Sequence, residues 1–187
     1  LSAFSFHETK NIISGEGGML CINDDRFIQR AEIIWEKGTN RSQFFRGEVD
    51  KYSWVDTGSS FLPSEIISAF LWAQIENMRD IQDKRIKIWN RYYEGLSSFE
   101  PVSIKKPKLP LVPEYATNNA HMFYLVCDNV DDRTRFIQHL KDKGILSVFH
   151  YLSLHKSSYY EKYSTRKSEL PNSDMFSDCL VRLPLFY

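Results

Sequence analysis

The chain has 187 residues, 42% of them hydrophobic and 14% aromatic, enough for one sizeable core or two modest ones and too apolar for a disordered segment. Lys plus Arg equals Asp plus Glu at 24 each, so the formal net charge is zero and no overall field would draw the chain to nucleic acid or to an anionic membrane. No apolar run reaches the length needed to span a bilayer.

Residues Ser2 to Phe6 alternate small polar with aromatic side chains and predict a short strand; HETKNIISGEGG is a polar, glycine-rich connection, and GMLCIND resumes as a second strand. Asp24 or Asp25 then caps a helix through RFIQRAEIIWEKG, with Phe27, Ala31 and Ile34 on one face and Gly38 as its stop. TNRSQFFRGEVDKYSWVDTGSS keeps no period and reads as a long irregular loop, which in a compact domain signals function or an interface.

Pro63, Ser64 and Glu65 resemble a helix start, and Ile67, Phe70, Leu71, Ile75, Met78, Ile81, Ile88 and Tyr92 keep a helical period to about Gly95. The expectation is one long helix over residues 63–95, with residues 1–62 before it and a smaller α+β domain at 96–187 after it. From Pro101 to Pro113 the prolines forbid regular helix and suggest a strand followed by an extended crossing. Beyond it come a strand at HMFYLVC, a helix at DDRTRFIQHLKDKG and a strand at ILSVFHYL. SSYYEKYSTRKSELPNS reads as a surface loop, and Ser173 as the cap of a last helix, DMFSDCLVRL.

The three cysteines, Cys21, Cys127 and Cys179, are far apart among apolar neighbours and read as reduced core thiols of a cytosolic protein. The Asn40-Arg41-Ser42 sequon has no weight in that setting. LSAFSF opens inside an alternating run and RLPLFY closes on packing material, so the expectation is a piece of a longer protein.

The five histidines include no pair with the i,i+4 spacing of a helical zinc site and none close to a cysteine, so no metal is expected. A hydrolase elbow, G-x-S-x-G, is absent. Gly15, Gly17 and Gly18 follow a lysine and lead into a strand, which fits neither a Walker loop nor a dinucleotide fingerprint. Lys10 remains. A lysine in a polar loop is most often solvated charge; held at a sheet edge and partly desolvated, the same amine can attack a carbonyl and anchor pyridoxal phosphate.

SFHETKNIISGEGGML resembles the lysine segment of the DegT/DnrJ/EryC1/StrS family of sugar-nucleotide aminotransferases, whose pattern is S-F-x-x-x-K-x-x-x-x-G-x-G-G. WEKGTNRSQFFRGEVDKYSWVDTGSSFLPSEI, NAHMFYLV, VFHYLSLH and RLPLFY are similar to the subgroup that aminates dTDP-4-keto-6-deoxyglucose, so the likeness runs along essentially the whole chain. The resemblance implies an α/β PLP-dependent transferase of the aspartate aminotransferase type (fold type I). For this chain that would be the end of the large domain plus the α+β small domain, with the N-terminal half of the family's polypeptide outside this sequence. It implies a cytoplasmic homodimer with shared active sites, pyridoxal 5'-phosphate as cofactor, and L-glutamate and a dTDP-sugar as substrates.

On the same resemblance Lys10 matches the Schiff-base lysine, and Ser5 a serine that hydrogen-bonds the cofactor phosphate. Ser60 stands where relatives place an asparagine that reaches the partner subunit's phosphate, and Leu62 replaces their arginine. Arg46 offers a fork suited to a diphosphate, although surface charge is its commoner use. His150 and Tyr151 match positions near the sugar nucleotide, with ordinary packing as the alternative. Rival readings are amination at C3, delivery of the other C4 epimer, or a non-catalytic dimerisation body. The 187-residue chain alone is expected to be inactive and, with apolar surface exposed, to self-associate.

Overall fold

In the computed structural model, which describes residues 1–101, 105–166 and 168–186, the small-aromatic alternation at the start forms β1 (Ser2–Ser5). It pairs antiparallel with β2 (Gly18–Cys21), Ser2 opposite Cys21 and Ser5 opposite Gly18. The ladder continues past the strands: Phe6 N donates to Gly17 O at 2.8 Å, and Ser14 N to Phe6 O at 2.7 Å. The residues between them therefore form a closed loop at the hairpin's end.

The Asp24 side chain accepts from Arg26 N and starts a 3-10 turn, Asp25–Phe27, that runs into α1 (Ile28–Trp35). Gly38 ends this segment at a φ of +82°, its N donating to Ile33 O at 2.7 Å. A Cβ on Gly38 would lie 2.1 Å from Asp56 O, and one on Gly58 1.8 Å from Gly38 N, so two backbones cross where only glycines fit. Val55 N donates to Gly38 O at 2.8 Å, and Arg30 pairs with Asp56 at 2.8 Å. Inside the stretch expected to be irregular lies a short helix, α2 (Arg41–Phe45), beside a bridge between Thr39 and Trp54.

Residues 63–95 are not one helix. Ser64 caps α3 (Glu65–Glu76), and α4 (Met78–Ser97) follows. Between them the Asn77 side chain donates to Ala73 O at 2.8 Å, beside its own backbone N–H at 3.3 Å. Asparagine competes in this way with the backbone ladder, so the run stops without proline or glycine. The chain divides into two compact units, Leu1–Arg79 and Asp80–Tyr187, with the division two residues into α4.

In the second unit Ile81, Arg85 and Trp89 recur every four residues along α4 and are buried. Trp89 packs with Ala120, Phe123 and Leu125, and Ile86, Tyr92, Leu109, Phe136 and Leu183 close the cluster. β3 (Phe123–Val126), β4 (Val148–Phe149) and β5 (Leu180–Leu183) form an antiparallel sheet in the order β3-β5-β4. Asn129 caps α5 (Val130–Asp142) through Asp132 N. Arg85 donates from all three guanidinium nitrogens to backbone carbonyls: Ala120 at 3.1 Å, Leu185 at 3.2 Å and His121 at 2.7 Å. A buried guanidinium is tolerable because each N–H finds an acceptor.

Three expectations for this unit are corrected. The expected loop SSYYEKYSTRKSELPNS contains α6 (Ser158–Tyr163), capped by Ser157. The last helix is α7 (Pro171–Cys179), which starts at a proline with no cap from Ser173, and LVRL is the central strand β5. The strand expected along ILSVFHYL is only Val148–Phe149. Where a strand was expected after Pro101, residues 102–104 lie outside the described residues, and Lys108 bridges Val126 with both N···O distances at 3.0 Å.

At the start of α7, Asp174 takes Lys156 Nζ at 3.0 Å on one oxygen. His155 Nε2 stands 3.2 Å from the other oxygen, close enough for an ion pair but not aligned for a hydrogen bond. Partial burial works to raise this carboxyl, but Lys156, Ser153 and His155 outweigh it and hold it below the usual carboxylate range.

Candidate active site

The hairpin connection that carries Lys10 is organised by its own backbone. Glu8 N donates to Gly15 O at 2.8 Å and Lys10 N to His7 O at 2.9 Å, while the Ser14 hydroxyl donates to Glu16 O at 3.0 Å. Glycine at 15 is required because its φ is +82°. The Lys10 side chain is exposed, and among the described residues its amine has no hydrogen-bond or ion-pair partner. An amine kept out of salt bridges on a backbone held at both ends is free to meet a carbonyl, although in this chain it is solvated rather than desolvated.

Ser5, at the end of β1, is exposed and shares the hairpin with Lys10; its Oγ accepts from His7 N at 3.5 Å, a long contact that leaves the hydroxyl proton available. An unpaired amine and a short hydroxyl on one hairpin fit an aldehyde that also bears a phosphate, so the residues present are compatible with pyridoxal phosphate.

Ser60 is exposed in the segment after the Gly38–Gly58 crossing, where Ser59 N donates to Ile34 O at 2.8 Å and fixes the backbone next to it. Arg46 is engaged elsewhere. Its Nη1 donates to Glu32 at 2.9 Å and its Nε to Glu48 at 2.6 Å. These hydrogen bonds raise the guanidinium above its ordinary value, Glu48 first and Glu32 second. To bind a diphosphate Arg46 would have to leave both carboxylates, which ties its geometry to the α1–α2 segment rather than to a free anion site.

His150 and Tyr151 lie in the second unit, just after β4. His150 Nδ1 is buried without a hydrogen-bond partner, and burial first, then the Arg182 charge, depress its pKa and favour the neutral ring. Tyr151 is 70% exposed, with the His150 ring at 5.5 Å and the Arg182 guanidinium 5.7 Å from its centroid. Lys10, Ser5, Ser60 and Arg46 all belong to the first unit.

The sequence alone did not reveal the place of His7. Considered there only as a metal ligand, it has its ring turned into the Lys10 loop, with Nδ1 2.9 Å from Thr9 Oγ1 and accepting Thr9 N–H at 3.1 Å.

Burial pushes the Cys127 and Cys179 thiols up, and none of the three cysteines is in a disulfide. No helix among the described residues is long and apolar enough to cross a membrane.

Known proteins share this architecture. The uncharacterized protein MJ1066 of Methanocaldococcus jannaschii is 26% identical over 196 residues, covering 99% of this chain and 48% of that protein. The crystal structure of DesV from S. venezuelae superposes with a TM-score of 0.81 at 23% identity, over 98% of this chain and 45% of that one. A putative sugar aminotransferase from Streptococcus pneumoniae, solved in its PLP form, gives a TM-score of 0.78 at 20% identity over 99% and 46%. At these identities the structures establish the fold, that of the α/β aminotransferases, and the chain spans about half the length of the relatives it matches. The match to the DegT/DnrJ/EryC1/StrS aminotransferase family covers residues 1–187, and the chain belongs to that family.

Proposed function

We propose that this chain supplies the lysine-bearing end of the large domain and the small domain of a pyridoxal phosphate-dependent sugar aminotransferase. The observation that supports it most is the Lys10 amine: exposed, without a hydrogen-bond or ion-pair partner among the described residues, and carried on a loop whose backbone is hydrogen-bonded on both sides. The whole protein would move an amino group from L-glutamate to the C4 ketone of dTDP-4-keto-6-deoxy-D-glucose, giving dTDP-4-amino-4,6-dideoxy-D-galactose for a surface polysaccharide such as O-antigen. It would act in the cytoplasm as a homodimer, and the domains would divide as 1–62, 63–95 and 96–187.

When bound, pyridoxal phosphate supplies an electron sink for breaking the C–H bond next to a nitrogen. Lys10 Nζ would hold that group covalently and, when released from it, would take and return a proton at Nζ. Ser5 Oγ would donate to a phosphate oxygen, and Ser60 would present a hydroxyl to the phosphate held by the other subunit. His150, kept neutral, can accept or donate a hydrogen bond to a sugar hydroxyl without adding charge, and Tyr151 offers a flat exposed ring beside it. Arg46 is not needed in this scheme.

The test is to incubate the whole protein and the 187-residue chain with pyridoxal phosphate, reduce with borohydride and map the adduct. A single adduct on Lys10 in the whole protein supports the proposal; no adduct on Lys10 refutes it. Turnover of 3-keto against 4-keto sugars, with the product epimer assigned by NMR, separates the named reaction from its neighbours, and a C3 amine would refute dTDP-4-keto-6-deoxy-D-glucose as the substrate. Amino transfer by the 187-residue chain alone would overturn the expectation that it is inactive.

A further inference from the structure

The Lys10 loop is closed from inside by one side chain. His7 Nδ1 accepts the Thr9 backbone N–H at 3.1 Å, and the carbonyl of the same residue accepts Lys10 N–H at 2.9 Å. One residue thus collects two successive amides leading into Lys10. A nitrogen that accepts an N–H carries no proton, so in the neutral ring the proton sits on Nε2, which faces Glu16 Oε1 from the returning arm at 3.4 Å. Glu8 and Lys10 flank the ring in the chain, and Glu16 is the charged group it faces across the loop.

We propose that His7 is a positioning residue for Lys10, holding the two amides that lead into it. This rests on the reading of Lys10 as the residue that carries the cofactor. Nδ1 pins Thr9, whose hydroxyl also lies 2.9 Å from it, and so fixes the backbone from which the Lys10 side chain departs.

Two variants separate this from a merely structural histidine. His7→Phe keeps a ring but loses the acceptor; His7→Asn places an acceptor within reach of the amide two residues on. In the ¹⁵N-labelled chain, His7→Phe should lower the Thr9 amide protection factor about five-fold, what one hydrogen bond contributes, and His7→Asn should restore it. Thr9 protection unchanged in His7→Phe overturns the hydrogen bond and the positioning role built on it.

In the whole protein, the rate of borohydride-trapped pyridoxal phosphate labelling at Lys10 should fall in His7→Phe and recover in His7→Asn. Labelling at the wild-type rate in His7→Phe overturns the positioning role alone. No label on Lys10 in the wild type overturns the cofactor reading together with the role assigned to His7, while the Thr9 measurements still report the His7–Thr9 contact by themselves.

Discussion

The two units of this chain differ in how much apolar core each buries. Among the described residues, Phe6 is the buried hydrophobic residue of the first unit, whereas Ile81, Trp89, Ala120, Phe123, Leu125, Val126, Cys179, Leu180 and Val181 are buried in the second. Both expose large apolar side chains, Trp54 at 82% and Phe61 at 92% in the first, Leu111 at 82% and Tyr115 at 92% in the second. The second unit has a core of its own, and its buried arginine is satisfied by its own carbonyls. The first is held together by backbone crossings, glycine contacts and ion pairs, with little burial. With so little apolar burial, the unit that carries Lys10 is the one whose stability comes least from itself.

This contrast predicts effects of very different size. The largest is chemical: Lys10→Ala in the whole protein should lower turnover by about 10²–10⁴-fold or more, as loss of a proton-transferring group does. It should leave urea unfolding unchanged, because the amine has no hydrogen-bond or ion-pair partner among the described residues. An equal loss of stability and turnover would show that Lys10 is structural.

Next come the core substitutions of the second unit. Phe123→Ala removes a fully buried ring that contacts Trp89 at 5.3 Å and Tyr92 at 5.1 Å between centroids. It should cost about 3–5 kcal/mol in urea denaturation. Arg85→Met keeps much of the volume but strips three carbonyls of their donor, and should cost about 3 kcal/mol, more than one unpaired acceptor alone. A near-neutral Arg85→Met would mean that packing, not the three hydrogen bonds, joins α4 to the sheet.

Asp174 gives a pH effect of definite sign. Its folded pKa lies below the ordinary carboxylate value, so it stabilises the fold above that value and the contribution is lost as pH falls toward the depressed one. Asp174→Asn should therefore flatten the acid limb of stability against pH while leaving its alkaline limb in place. An unchanged acid limb would assign acid sensitivity to another carboxylate. The smallest effect is expected at Trp54: Trp54→Ser should change the stability of the isolated chain by no more than about 0.5 kcal/mol, since the ring is 82% exposed. A loss near that of Phe123→Ala would show that the first unit's aromatic surface is covered in solution, which self-association of the chain would do.

Legibility in the sequence followed the range of the interaction. Asp24 capping, the Gly38 stop and the Lys10 connection between β1 and β2 were all read correctly from neighbours a few residues away. The LVRL segment was not. It continues an amphipathic pattern from α7, and four apolar-rich residues fit helix or strand equally; pairing with β3 and β4, which come from 54 to 60 and 32 to 34 residues earlier, decides for strand. Arg46 looked available because Glu32, 14 residues away, comes beside it only when α1 and α2 fold.

By itself the sequence determined the elements with local caps, the glycines at forced backbone positions and the lysine motif that marks the family, because each depends on residues within a turn of one another. The tertiary structure decided which cations were already spent on carboxylates, where the helical run through residue 77 breaks, which strand takes the centre of the sheet, and that His7 turns inward on the Lys10 loop. Those outcomes depend on which groups meet across long stretches of chain, or on which of several competing acceptors a side chain finds once the backbone around it is in place.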